Sequence, residues 1–578
     1  MKTRSAVSIE LKTRTSDQSS PPNSEKDPPP AVPSRRAFLK GLGAATLAGA
    51  VPAAAMAAGK VVAMPDVLSD TKSPQLNINA RRNQAYKKRL AAAAQDRKAK
   101  TPPHPNNGDE TLFPNGIANF TKGFAHPQPC IVDPTIYAQY LAAIHSGKRA
   151  DFDALVTGGV PLVDPQAGLA FDLETCDPSQ NQMPTFPTLT SKDLASQMVE
   201  TYWLALTRDV PFSQWGTDST VATACTELSG LSAFTGPRIN GQVTPQTLFR
   251  GFTPNDILGP YVSQFFIQPF SYGVLPFVGY MTTLPGDFGI DETSWANLQN
   301  GVKSSATENP DSNFKYLGDG RDLAEYVHND ILYQEYLNAS LMLATMGAPL
   351  NSGNPYFSLK SETGFITFGL PMLQILVAEV IARAIKNAWF QKWFVHRVAR
   401  PEEIAGLVHY TKTAGANFFL DSTVLSSQAA ATVHSRNGNY FIPLSYPEGC
   451  PLHPSYPSGH ATAAGAAVTI LKWFFNEATP IAQLTTPLTT TDDGSKPIAY
   501  TGADAGQLTV GGELNKLASN VGYGRVFSGI HWRDDIKYGM LLGEQVAINL
   551  LQDQAHLYNE NYTGFTFTKF DGITKVTV

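Results

Sequence analysis

Apolar residues recur at helical spacing through five long stretches of this chain: Lys192 to Arg208, Asp322 to Met346, Pro371 to Val398, Thr462 to Asn476 and Trp532 to His556. Each stretch predicts an amphipathic or buried helix. Runs that alternate apolar and polar residues in the manner of strands are few and short. From about residue 120 onward the connections are long and rich in Pro and Gly, with neither a second linker nor a repeat. The pattern predicts an all-α fold in which residues 121–578 form a single large domain of packed helical bundles with long loops. Residues 58–120 are rich in Lys, Arg, Asn and Pro and carry one polar helical stretch, Asn83 to Lys100. They read as a surface arm of the kind that wraps a neighbouring subunit, so a homo-oligomer is expected. Phe365 to Phe390 is strongly apolar, but Glu379, Arg383 and Lys386 interrupt it at helical spacing. It reads as a core helix with one wet edge, not a membrane span.

Composition narrows the function classes. With 578 residues, 42% of them hydrophobic, the chain has ample material for a core. A net charge of -5 supplies no basic field, which argues against nucleic acid or an anionic membrane surface as a partner. The four cysteines, Cys130, Cys176, Cys225 and Cys450, show no C-x-x-C spacing, so neither a zinc knuckle nor a c-type haem site is written here. Two disulfides are possible in an oxidising compartment, with the pairing open. Residues 1–57 carry a compartment signal: Ser34-Arg35-Arg36-Ala37-Phe38-Leu39-Lys40 leads into the weakly apolar run Gly41 to Ala55, with small residues near Ala55-Met56-Ala57. This looks like a twin-arginine export leader, implying a mature protein that starts near Ala58, works outside the cytoplasm and keeps no membrane insertion after processing.

Three clusters carry the chemistry. In Lys392-Trp393-Phe394-Val395-His396-Arg397-Val398-Ala399-Arg400-Pro401, helical spacing would put Lys392, His396 and Arg400 on one face, with Pro401 ending the helix at Arg400. In His453-Pro454-Ser455-Tyr456-Pro457-Ser458-Gly459-His460, Ser458 and Gly459 sit at the mouth of an Ala/Gly-rich helix whose first turn holds His460. Unpaired N–H groups and the positive dipole end make such a mouth an anion site. In Gly524-Arg525-Val526-Phe527-Ser528-Gly529-Ile530-His531-Trp532-Arg533-Asp534-Asp535, Ser528 reads as the cap of a helix carrying His531 and, four residues on, Asp535. The carboxylate could then fix the histidine's tautomer. Taken singly the three are a basic stripe, a helix cap and a structural His/Asp pair.

Taken together, Lys-x7-Arg-Pro, then Pro-Ser-Gly-His, then Arg-x5-His-x3-Asp resemble the three-part signature shared by vanadium haloperoxidases and the type-2 phosphatidic acid phosphatases. Three cations, two backbone N–H groups and two histidines also suit a multiply charged tetrahedral oxyanion. The Lys392 to Arg400 spacing and the text around it are similar to the algal and bacterial bromoperoxidases. So are Arg321-Asp322-Leu323-Ala324, Tyr333-Gln334-Glu335-Tyr336-Leu337-Asn338 and Gly353-Asn354-Pro355-Tyr356. The likeness covers roughly residues 195 to 555, a longer span than phosphatases usually have.

The resemblance implies a vanadate cofactor, with His531 as axial ligand and Asp535 behind it. Lys392, Arg400, Arg525, Ser458 and Gly459 would hold the oxyanion, with His460 as acid/base and Lys392 polarising the peroxide. Hydrogen peroxide and halide would be the substrates, the organic acceptor remaining open. His453, five residues before Ser458, stands where bromoperoxidases carry a histidine and fungal chloroperoxidases a phenylalanine. That favours bromide, admits iodide and disfavours chloride. In red-algal relatives a calcium loop precedes the lysine helix, but Asn354 to Thr367 holds one carboxylate, Glu362, which leaves calcium weakly supported. His396 is a candidate neighbour of the site; His104, His126, His145, His328, His409, His434 and His556 read as structural. Two alternatives share the same residues: an acid phosphatase with a phosphohistidine at His531, and a noncatalytic oxyanion-binding protein.

Overall fold

Side-chain caps start many of the helices: Ser191 accepts from Leu194 N at 3.2 Å, Asp319 from Asp322 N at 2.9 Å and Thr509 from Gly512 N at 3.1 Å. A computed structural model describes residues 77–98 and 100–578. The stretch read as a twin-arginine leader, with its cleavage pattern, lies outside the described residues. A boundary between two units falls after Asn83, and the second unit is Gln84–Val578. Helix α1, Ile78–Asp96, has no buried residue, matching its polar sequence.

The second unit is helical, with three two-stranded antiparallel sheets, as at Leu488–Thr490 with Pro497–Ala499. The elements that frame the site are α2 (Lys192–Thr207), α3 (Gly320–Asn329), α4 (Gln334–Thr345), α5 (Leu370–Phe390), α6 (Pro401–Ala414), α7 (Gly459–Phe474), α8 (Val510–Phe527) and α9 (Arg533–Ala555). Helix α7 lies at the centre, packed on α5, α8 and α9. Every α7 residue except His460 is buried. It crosses α9 at two glycines: a Cβ on Gly465 would run into the Met540 backbone, and one on Gly543 into the Thr462 carbonyl. Gly543→Ala should therefore destabilise the fold by about 2 kcal/mol, the overpacking cost exceeding the roughly 1 kcal/mol of helix propensity gained. Denaturant unfolding checks this; an unchanged or raised midpoint would show that the helices can part freely.

Helix α5 buries Leu373, Leu376, Val377, Val380, Ile381 and Ala384 on one side. On the other, Arg383 pairs with Glu379 at 2.9 Å and Lys386 with Asp172 at 2.7 Å. This is the core helix with a wet edge read from its charges, except that it begins at Leu370 and leaves Phe365 and Ile366 exposed ahead of it. No helix among the described residues is long and apolar enough to cross a membrane.

Several expectations need correction. Asp322 to Met346 is two helices, not one: α3 ends at Asn329, Asp330 is extended, and α4 begins at Gln334. Pro371 to Val398 is α5 followed by a π-helical turn, Gln391–His396, that closes on Arg397 in the left-handed region at φ 44°. That strained residue is held from both ends: its carbonyl accepts from Phe120 N at 2.9 Å and its Nε donates to Glu110 at 2.9 Å. Pro401 opens α6 instead of closing the preceding helix, so Lys392, His396 and Arg400 do not share one helix face. Ser528 ends α8 instead of starting a helix, and α9 begins only at Arg533, which leaves His531 in the connection. The stretch read as an arm is surface only in part, because Asp109, Phe113, Ile117 and Phe120 are buried. All four cysteines are free.

Helix α8 escaped the periodicity reading because it is buried all round, polar residues included. Several of its polar side chains are paired inside: Lys516 with Glu513 at 2.8 Å, Ser519 with Asp256 at 2.7 Å, Asn520 with the Tyr261 carbonyl at 3.1 Å. Satisfied polar groups let a helix be core without an apolar stripe.

Candidate active site

The three sequence clusters meet in one buried place through loops and helix ends. The left-handed turn at Arg397 redirects the chain so that Arg400 enters from the N-terminus of α6. Its backbone N–H donates to Glu403 at 2.8 Å, and Glu403 also accepts from Thr121 N at 2.7 Å and Lys122 N at 3.2 Å. Arg400 is fully buried. Its guanidinium donates to the carbonyls of Ile530 (2.8 Å) and His453 (3.1 and 3.0 Å), and reaches His531 Nε2 at 3.1 Å and His453 Nδ1 at 2.9 Å. Lys392, also fully buried, comes from the π turn and donates to the carbonyls of Pro454 and Ser455, both at 2.7 Å. Arg525, on the last turn of α8, donates to the Val327 carbonyl at 2.9 Å and lies over the Tyr446 ring at 5.2 Å; its Nε is buried without a partner.

His531 is the pivot. Its Nδ1 donates to Asp535 Oδ2 at 2.6 Å, which leaves the Nε2 lone pair turned toward the cations. The sequence pairing of His531 and Asp535 is correct, but the geometry behind it differs. Asp535 is the third residue of α9, accepts from Trp532 N at 3.0 Å at the helix mouth, and reaches back to a histidine in the preceding loop. Ser455 Oγ donates to the same carboxylate oxygen at 2.5 Å. Burial raises the Asp535 carboxyl to about 6, against the pull of Lys392. Burial, followed by the charges of Arg400, Lys392 and Arg525, holds the His531 imidazole well below its usual range and therefore neutral. Burial and Arg400 likewise depress Lys392.

At the mouth of α7 stands Gly459, where a Cβ would sit 3.0 Å from the Trp389 ring and would have to displace it. The Ser458 hydroxyl caps Ala461 N at 3.3 Å, and its backbone N–H donates to the Asp535 carbonyl at 3.0 Å, so that N–H is already engaged. His453 packs against Trp389 with ring centroids 5.0 Å apart, and burial with Lys392 and Arg400 depresses its pKa strongly. His460, the one partly exposed residue of α7, sets its Nε2 3.2 Å from Asp330 Oδ1. Asp330 is held ionised down to about 2, chiefly by His460 against the cost of burial. Beside it burial and the Asp330 charge keep Glu335 protonated well above the usual carboxyl range.

Every candidate site residue lies in or against this cluster. His396 does not: both of its ring nitrogens are buried without partners, and its ring meets Tyr456 edge-on at 4.8 Å. Sequence reasoning missed Asp330, Ser455, Trp389 and Tyr446. Asp330 had a signal in the break between two helices, which a continuous-helix reading erased; the others had none. A cavity of about 530 Å³, lined in part by Asp96, Cys176, Asn181, Tyr538 and Asp553, shares no residue with the site.

The three buried cations outnumber the carboxylates beside them, which are Asp535, itself resistant to ionising, and the ionised Asp330 on the His460 side. The arrangement is short of negative charge and presents a neutral imidazole nitrogen, an unpartnered Arg525 Nε and a helix-mouth N–H. It suits a tetrahedral oxyanion with a ligand position for its central atom.

The family described as the VCPO second helical-bundle domain matches residues 373–560. A vanadium-dependent bromoperoxidase of Corallina pilulifera is 32% identical over 600 residues, spanning 87% of this chain and 99% of its own. One of Ascophyllum nodosum is 33% identical over 533 residues, spanning 87% of this chain and 94% of its own. The homohexameric structure of the second vanadate-dependent bromoperoxidase of Ascophyllum nodosum superposes with a TM-score of 0.80 at 30% identity, over 90% of this chain and 93% of that one.

Proposed function

We infer the reaction from one premise: this chain belongs to the vanadium-dependent haloperoxidase family, in its bromoperoxidase-like branch. The proposal is that it oxidises bromide with hydrogen peroxide and a proton to hypobromous acid and water, and that the acid then halogenates an organic acceptor. The observation that carries it is the neutral His531 Nε2 turned into a buried pocket whose three cations outnumber its ionised carboxylates.

The donor set fits vanadate. His531 would hold the metal through Nε2, and Lys392, Arg400, Arg525 and the Gly459 N–H would hold its oxygens. When bound, vanadate supplies a Lewis-acid centre that activates hydrogen peroxide toward halide. Asp535 keeps the His531 proton on Nδ1, and Ser455 and the Trp532 N–H keep Asp535 in place. Lys392, stripped of water and anchored on two carbonyls, offers its remaining N–H to the oxygen that becomes more negative. His460 exchanges a proton through Nδ1, because Asp330 takes Nε2 and fixes the ring. Trp389 and His453 wall the halide side and limit water.

Two tests address specificity and setting. His453→Phe should lower kcat/KM for bromide about tenfold while vanadate affinity falls less, since His453 touches Arg400 and not the ligand nitrogen. Steady-state bromination beside vanadate titration separates the two; an equal loss of both would make His453 part of the oxyanion site. Replacing Arg35 and Arg36 together by Lys should hold the precursor in the cytoplasm, followed by fractionation, because we read the leader as a twin-arginine signal. Normal export of that variant would refute the reading. A homo-oligomer is also proposed, on the strength of the homohexameric relative.

A further inference from the structure

We propose that Glu308, Glu325 and His328 form a site for one divalent transition-metal ion of the zinc type, separate from the oxyanion pocket. One ligand atom from each side chain lies within 4.8 Å of the other two. His328 Nδ1 is 2.9 Å from Glu308 Oε1 and 3.9 Å from Glu325 Oε2. Donors this close can share one ion at bond lengths of about 2 Å.

Local structure explains the convergence. Glu325 and His328 stand three residues apart on α3, which places them on one face. Asn329 Nδ2 donates to Glu325 Oε1 at 2.6 Å, which orients that carboxylate and leaves Oε2 toward His328. His328 is fixed on its other side: Nε2 donates to Glu448 Oε1 at 2.7 Å, and the ring stacks on Tyr446 with centroids 3.8 Å apart and planes 10° apart. A carboxylate on one imidazole nitrogen, with the other nitrogen facing two more carboxylates, is the arrangement that prepares a histidine to bind a metal.

Two further observations favour an ion over a simple salt bridge. Glu308 Oε1 and His328 Nδ1 are both buried and make no well-formed hydrogen bond despite their proximity. Among the described residues no lysine or arginine side chain pairs with Glu308 or Glu325. Without a metal their cation is His328, which burial disfavours but Glu308 and Glu448 hold protonated up to about 9. A divalent ion would replace its Nδ1 proton and carry the larger charge the carboxylates call for. One nitrogen and two oxygens favour zinc, cobalt or manganese over calcium or magnesium, which prefer oxygen alone. The site is one aromatic ring away from Arg525, because Tyr446 lies against both His328 and the Arg525 guanidinium.

The test is zinc titration by calorimetry into full-length, vanadate-loaded protein first freed of other metals with a chelator, with metal analysis after dialysis. One zinc per chain is expected. Glu308→Gln, which leaves the His328 ring on Tyr446, and His328→Ala should each weaken zinc binding by at least about tenfold, and Glu448→Gln by about 10- to 100-fold. X-ray absorption at the zinc edge should show one imidazole, lost in His328→Ala. Circular dichroism confirms that each variant is folded. If the wild type retains no zinc, or if Glu308→Gln and His328→Ala retain as much as the wild type, the cluster is an ion-pair network and the proposal fails.

Discussion

His531→Ala should reduce bromide oxidation by about three orders of magnitude, equivalent to ~4 kcal/mol of barrier, while a weakened affinity for vanadate survives. The asymmetry follows from what the side chain does. Among the described residues it is the one imidazole with Nε2 against Arg400 and Nδ1 tied to a buried carboxylate. Without it the proposed ligand position would lose its protein atom, whereas Lys392, Arg400, Arg525 and the Gly459 N–H would still offer an anion site. Bromination kinetics and a vanadate binding isotherm on the same preparation check both halves. A variant that keeps activity within tenfold of the wild type, or that binds vanadate unchanged, would contradict the role given to His531.

Arg400→Ala should have the second-largest effect, a loss of vanadate affinity of roughly a thousandfold, as expected when two charge-assisted hydrogen bonds are removed from a buried site. Arg400 also braces the loop carbonyls of His453 and Ile530, so its removal loosens both edges of the pocket. Arg400→Lys should recover only part of the affinity, because a single ammonium cannot contact His453, Ile530 and an oxyanion in the planar fork that Arg400 uses. Affinities of Arg400→Ala within threefold of the wild type, or full rescue by lysine, would assign oxyanion binding to the other two cations.

Much of this site was legible in the chain because its chemistry is carried by short motifs whose residue types are costly to bury without purpose. Lys392, Arg400, Ser458, Gly459, His460, Arg525, His531 and Asp535 all carry that signal, and the structure gathers them. What failed was the local geometry. Helical spacing joined Lys392 to Arg400 and His531 to Asp535, whereas a π turn with a left-handed Arg397 and a helix start at Arg533 make those connections. Such irregular backbone is stabilised by tertiary contacts, here Glu110 and Phe120 on Arg397, which no local pattern records. Helix α8 was missed for a related reason: its buried polar residues find partners far along the chain, so polarity did not mark a surface. Asp330 lies where the helical spacing of apolar residues runs on unbroken although α3 and α4 separate around it.

The most direct measurement is a vanadate titration of metal-freed, full-length protein assayed in parallel for bromide oxidation with hydrogen peroxide and for aryl phosphate hydrolysis. Bromination should rise from near zero to a plateau at one vanadate per chain, and inorganic phosphate should compete for the same pocket. No bromination at any vanadate concentration, together with a phosphohistidine trapped at His531 during phosphate ester turnover, would contradict a haloperoxidase and establish a phosphatase.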